Sequence, residues 1–297
     1  MVNLLVALLA VAPSCGACHQ AIWDSYRQTA HSLSSSRATS DSIRGSFVKG
    51  HNLLRTGDPD VYFQMERQGD GFYVTSHDHG VSRRERFHLV MGSGRRGQSY
   101  LFLKNGTLFQ LPVSFSALAD GWVVSPGYPD GQANFDREIR PSCMSCHSTL
   151  AGGQLLAGIA CVKCHGPGDQ HPEIRNPARL DREARIAVCA ACHSGTDTEP
   201  KAEVHGNQVG LLRRSRCFQN SDMTCATCHN VHRIERNLSV LSANCTRCHA
   251  EQKCKMAARA DNCIECHMPR QESKVITFRA AGKLMTQRYR NHTIGVY

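Results

Sequence analysis

Alternation of apolar and polar positions is concentrated in one stretch of this 297-residue chain. Five runs, GFYVT (71–75), RFHLVM (86–91), SYLFL (99–103), TLFQLPV (107–113) and GWVV (121–124), carry the β-branched and aromatic residues of half-buried strands. Asn105-Gly106 joins two of them and is the strongest short-range hairpin signal available. The polar HSLSSSRATSDS before these runs reads as loop or helix cap, and SPGYPDGQANFDREIRP (125–141) as a linker after them. A helical period appears in CHQAIWDSYRQTAH, where Ile22, Trp23 and Tyr26 share a side, and in LDREARIAVCAACH, through Leu180, Ala184 and Ile186. The closing segment SKVITFRAAGKLMTQRYRNHTIGVY reads as one strand plus a tail.

An apolar run, Val2 to Ala12, is too short to span a bilayer, and no other stretch is long enough. Ala10-Val11-Ala12 has the A-x-A pattern of a cleavage site, so residues 1–12 are expected to be an export signal, with a buried N-terminal element as the alternative. The expected location is periplasmic or otherwise exported.

Composition changes the picture. Hydrophobic residues make up 41% of the chain but aromatics only 6%, thin for a core built of side chains alone. Cysteine and histidine each number 16. A formal charge of +10 raises nucleic acid or an anionic membrane as a partner, unless a bound group carries compensating charge.

The cysteines supply that group. Fourteen of them form seven pairs separated by two residues, each followed at once by histidine. The seven are Cys15-Cys18-His19, Cys143-Cys146-His147, Cys161-Cys164-His165, Cys189-Cys192-His193, Cys225-Cys228-His229, Cys245-Cys248-His249 and Cys263-Cys266-His267. Zinc ribbons use paired cysteines but do not require histidine next in line. C-x-x-C-H is the attachment signature of c-type haem: both thiols form thioethers, and the histidine is the proximal iron ligand. Seven covalently bound haems are expected. Each ferric haem with two propionates brings roughly −1, offsetting about seven of the positive charges, and nucleic acid drops out as a partner.

Nine histidines remain for distal ligation. The candidates are His31, His171, His232, His205, His88, His51, His77 and His79, with one of the last two, like His292, read as an ordinary polar group. His171 follows a Gly166-Pro167-Gly168 turn, and His232 stands three residues after His229, so each sits too near its own motif to wrap that porphyrin. Each is expected to serve a different haem. Cys217 and Cys254 belong to no pair and read as a disulfide, with thiolate ligation as the alternative. Met268, beside His267, is expected to pack on a haem face.

These readings divide the chain into a signal segment (1–12), an N-terminal region with one haem and a small β-sheet (13–140), a dense six-haem region (141–270) and a C-terminal strand and tail (271–297). Cys143 to His267 places six motifs in 125 residues. The expected fold is therefore a multihaem cytochrome c, mainly α and irregular structure around stacked haems, with a small antiparallel β region in the N-terminal half.

The sequence resembles the multihaem cytochromes c of the c554-like group, related to hydroxylamine oxidoreductase and octahaem tetrathionate reductase. The resemblance runs from Cys15 to about Arg270, through CGACH…W…H, GSGRRGQSYL…G…FQLPV, SPGY, CHGPGDQH, NPARL, CAACHSG, CATCHNVH and NCIECHMPR. It implies distal roles for His31, His171 and His232, periplasmic export and haem pairs packed face to face. That group holds both electron carriers and catalysts. A heptahaem relay passing single electrons between redox proteins, quinol-linked or other cytochromes, is the expected function. Association with membrane redox complexes is a further expectation. The alternatives are an oxidoreductase for a small nitrogen or sulfur compound, needing one open distal site, and a subunit of an extracellular haem filament. No C-x-x-C-K motif is present, against the usual ammonia-forming nitrite reductase arrangement.

Overall fold

A computed structural model describes residues 15–151, 154–166, 175–195, 202–249, 262–280 and 282–297. The apolar run Val2–Ala12 lies outside them. The chain forms two compact units, one from residues 1–15, 30–174 and 276–287, the other from 16–29, 175–275 and 288–297.

The first unit holds most of the strands. In chain order these are β1 (Ser35–Arg37), β2 (Leu53–Arg55), β3 (Val61–Gln68), β4 (Gly71–Asp78), β5 (Val81–Arg86), β6 (Leu89–Met91), β7 (Gly97–Lys104), β8 (Thr107–Ser116) and β9 (Gly121–Val124). They build two antiparallel sheets, a five-stranded one ordered β1-β6-β7-β8-β9 and a four-stranded meander β2-β3-β4-β5. Alternation decides which face is buried: Val61, Phe63 and Met65 of β3 point inward between half-exposed Tyr62, Gln64 and Glu66. The Asn105-Gly106 hairpin forms as expected, both residues at positive φ (50° and 80°), pairing Lys104 with Thr107.

Phe63, Phe87, Tyr100, Phe102, Leu111, Val113 and Trp122 fill the core with other apolar side chains of both sheets. Eight of the ten phenylalanines lie between residues 47 and 135, so the sparse aromatic supply is spent in this one place. Residues 125–141, expected to be a linker, are part of it. Phe135 is buried, Tyr128 donates from its hydroxyl to the Gln110 carbonyl (2.7 Å), and the Arg137 guanidinium lies 3.8 Å from the Tyr128 ring centre.

Outside that stretch come α1 (Gln20–Tyr26), α2 (Pro141–His147), the hairpin β10 (Thr149–Ala151) and β11 (Gln154–Leu156), α3 (Val162–His165) and α4 (Arg182–His193). They are followed by α5 (Gln208–Leu212), α6 (Arg216–Gln219), α7 (Leu238–Thr246), α8 (Cys263–His267), β12 (Arg270–Ala280) and β13 (Lys283–Arg290). The helix read from LDREARIAVCAACH forms, with Asp181 capping it through the Ala184 N–H at 2.8 Å. The closing segment makes two paired strands instead of one.

The fold is therefore mixed α/β with substantial antiparallel sheet, which corrects the expectation of a mainly α and irregular protein around stacked haems. The sheets are larger because β1, β2, β3 and β5 flank the runs that were legible, and because the closing segment turns back on itself.

Candidate haem-attachment sites

All seven Cys-x-x-Cys-His motifs lie on helical turns: two on the 3₁₀ turns Cys15–Ala17 and Cys225–Thr227, the rest on or at the ends of α2, α3, α4, α7 and α8. One turn brings residues four apart onto the same face. The backbone N–H of the motif histidine accordingly donates to the leading cysteine's carbonyl, from His165 to Cys161 at 3.0 Å, from His229 to Cys225 at 2.9 Å and from His249 to Cys245 at 3.0 Å. All fourteen motif cysteines are among the described residues and are reduced, outside any disulfide.

The residues between the cysteines dock these turns. Met144, between Cys143 and Cys146, is buried against Leu89, Leu101, Leu108 and Leu155. Gly16 lies under Trp23, where a Cβ would fall 2.8 Å from the indole. Cys189 and Ala190 pack on the cluster of Ile186, Val209 and Phe218.

Leading cysteines also meet across motifs. The Cys161 thiol is hydrogen-bonded with Cys15, that of Cys225 with Cys189, and that of Cys245 with Cys263. Burial, reinforced by the neighbouring thiol, pushes Cys161 and Cys245 each up to about 11. Donation from Cys189 pulls Cys225 down to about 7. Six of the seven motifs are thus joined two by two at their leading thiols.

Two motif histidines are already oriented for metal. His193 Nδ1 is 2.9 Å from Gln208 Oε1, and His267 Nδ1 is 2.7 Å from the Gly295 carbonyl oxygen. An Nδ1–H given to an oxygen leaves the Nε2 lone pair for a metal. Zinc is poorly matched, because it needs about four such donors converging on one point. Among the described residues, the one group of three or more side chains close enough to share an ion is Asp58, Asp60 and His79, which includes no cysteine. Reduced cysteine pairs, one-turn spacing and oriented imidazoles fit a covalently attached haem.

The distal candidates fall in different surroundings. His31 is bound into a polar network around the second and third motifs. Its carbonyl accepts from the Ile159 N–H (2.9 Å) and from Ser34 Oγ (2.8 Å), and Ser34 Oγ also reaches the His147 carbonyl (2.7 Å). Buried Ser35 and Ser148 share a hydrogen bond of 2.6 Å, and Ser35 Oγ accepts from the Gly158 N–H at 3.0 Å. Gly158 has φ +61° and no room: a Cβ there would lie 2.0 Å from the Ser32 carbonyl oxygen. G158A should therefore lower stability by roughly 1–3 kcal/mol through strain and overpacking. It should also shift the haem spectrum of the second or third motif. Denaturation followed in the haem absorption band checks this, and a wild-type midpoint would refute it.

His232 is half-buried with the Tyr26 ring 6.1 Å away, and His205 lies 5.1 Å from the Tyr289 ring. His88 accepts from the Leu103 N–H at Nδ1 (3.1 Å), which places its own proton on Nε2. His77 stacks on Tyr62 at 4.4 Å and bonds Ser82. His79 is raised by its hydrogen bond to Asp78 and by Asp58, favouring an imidazolium without a lone pair for metal. His51 is exposed in the loop before β2. His171 and Cys254 lie outside the described residues, while Cys217 carries a free thiol near Cys228 and Cys245.

His292, read from the sequence as an ordinary polar group, stands 6.3 Å from the ring of His229, centre to centre. Burial drives its imidazole down to about 4, against the pull of the Arg290 carbonyl. No spacing rule points to it, since it lies 63 residues beyond His229.

Comparison with known proteins agrees with this chemistry. The chain is 26% identical over 174 residues to the multiheme cytochrome MtrA of Shewanella baltica, covering 46% of this chain and 48% of that protein. The chain is a distant homologue of multihaem c-type cytochromes. A second relative, the C-type polyheme cytochrome OmcC of Geobacter sulfurreducens, is 28% identical over 110 residues, covering 30% of this chain and 14% of OmcC. The matched regions thus span half or less of each relative. No family model and no solved structure matches the chain.

Proposed function

We propose that this is an exported heptahaem electron-transfer protein, moving single electrons between partner redox proteins. Haem, when bound, supplies a reversible one-electron change at iron. The chain's own part is to hold and orient it. The thiols of each motif would anchor it covalently, the following histidine would offer an imidazole nitrogen, and oxygens of Gln208 and Gly295 fix the tautomer of two such histidines. The observation that carries the reading is the contact between leading thiols, which sets the attachment points of six motifs side by side in pairs. Adjacent redox centres suit a relay better than one isolated catalytic iron.

Seven ferric haems at roughly −1 each would offset about seven of the ten excess positive charges, which supports haem rather than nucleic acid as the balancing anion. Within this reading, the motif set quoted above supports a c554-like affinity. His31, whose backbone carbonyl joins the network beside the second and third motifs, and His232, beside the Tyr26 ring, remain proposed distal ligands.

A reductive titration of the holoprotein tests the function. It should take up about seven electrons per chain, one for each motif, with low-spin spectra throughout and no turnover of hydroxylamine, nitrite or tetrathionate. A high-spin iron that turns over one of these would make the protein an enzyme.

A further inference from the structure

We propose that His292 is the distal axial ligand of the haem attached at Cys225 and Cys228, opposite the proximal His229. The inference rests on the haem reading above and assigns a ligand outside every motif.

Distance is the first argument. The two ring centres lie 6.3 Å apart, with planes 33° from each other. Imidazoles hydrogen-bonded to one another, nitrogen to nitrogen at about 3 Å, would bring their centres to roughly 5 Å. A metal between them, with a bond of about 2 Å to each nitrogen, sets the centres roughly 6 Å apart. The observed spacing is longer than a direct hydrogen bond between the rings and leaves room for an ion between them.

The tautomer is the second. His292 Nδ1 is 3.1 Å from the Arg290 carbonyl oxygen, so Nδ1 carries the proton and donates it. Nε2 is left as a lone pair. This is the arrangement of His193 with Gln208 and of His267 with Gly295, both proximal histidines. His88 has the opposite one, accepting at Nδ1.

The third is how the segment around residue 292 is fastened. Here the Asn291 N–H donates to the Pro269 carbonyl (2.9 Å), Ser215 Oγ donates to the His292 carbonyl (3.2 Å), and the Ile294 N–H donates to Ser215 Oγ (2.7 Å). Thr293 Oγ1 donates to the Leu211 carbonyl (3.2 Å), and Asn291 is itself buried. Bonds on both sides of residue 292 fix its backbone, and the imidazole is the group they present to His229.

Replacing His292 in the holoprotein tests the assignment. H292A should retain the parent's covalent haem count while one ferric haem changes from low to high spin in electron paramagnetic resonance, and added imidazole should restore it. H292M, which keeps volume and a potential ligand, should give one histidine–methionine haem and covers the case in which the alanine variant does not mature. In a C225A/C228A background, where the assigned haem is missing, H292A should create no new high-spin signal. Parent-like spectra for H292A or H292M at full haem count would overturn the assignment, as would a new high-spin signal in the C225A/C228A background. Absence of haem from the Cys225–Cys228 peptide of the parent would instead remove the haem reading, and this inference with it.

Discussion

Protein matured with export and haem-ligation machinery will carry about seven covalent haems per chain, one per motif. Intact mass and a pyridine haemochrome assay will count them. The expectation follows from reduced cysteines in all seven motifs and from the helical turn that sets each histidine one turn beyond its leading cysteine. Deleting one pair, as in C189A/C192A, should remove one haem and leave the others. The effect is all-or-none, because a thioether cannot form without its sulfur. Zinc at these pairs, or three haems or fewer in correctly matured protein, would defeat the assignment.

The second large effect concerns the full chain made without haem. Its two units should part company. The β-rich unit owns a conventional core in which Phe63, Tyr100 and Phe102 are completely shielded from solvent. Each such side chain contributes about 1.5–3 kcal/mol by leaving water, and antiparallel pairing satisfies the backbone between them. In the other unit the buried apolar side chains among the described residues are Ile186, Val204, Val209, Leu211 and Phe218. At about 1.5–3 kcal/mol each, they cannot offset a backbone ordering cost of about 1–2 kcal/mol for every residue fixed. Hydrogen exchange should therefore show protected amides across β3 to β9 and rapid exchange through α4 to α8 in the haem-free chain. Adding F63A should cost the surviving part roughly 3–5 kcal/mol and unfold much of it. Equal protection in both units would show that the helical unit has a core of its own.

Different physical signals made different parts of this molecule readable. The motifs were plain because thioether chemistry fixes the spacing of cysteine, cysteine and histidine within five residues. The Asn105-Gly106 hairpin was plain because a type I′ turn demands positive φ at both positions. VYFQMERQ, now β3, alternates just as clearly as its neighbours, but the glutamines and glutamate on its outer face masked the apolar set within. The segment 125–141 has the proline and glycine of a linker, and nothing local reveals that Tyr128 and Phe135 are buried by a sheet formed earlier in the chain. His292 and the network around His31 were illegible for the same reason. Each depends on residues far away in sequence, and no local spacing encodes them.

The meeting of leading thiols has a bearing on how such a chain can be made. Cys15 with Cys161, Cys189 with Cys225 and Cys245 with Cys263 are close enough to hydrogen-bond. In an oxidising compartment, two thiols so placed can lose two electrons and two protons to an oxidant and close a cross-link between motifs. A chain that reached its final shape bare would thereby lock the very sulfurs needed for thioethers. Since the β-rich unit is the one expected to fold without haem, the Cys15–Cys161 pair is where cofactor delivery has to outrun folding, or where a reductant has to keep reopening the bridge until it does.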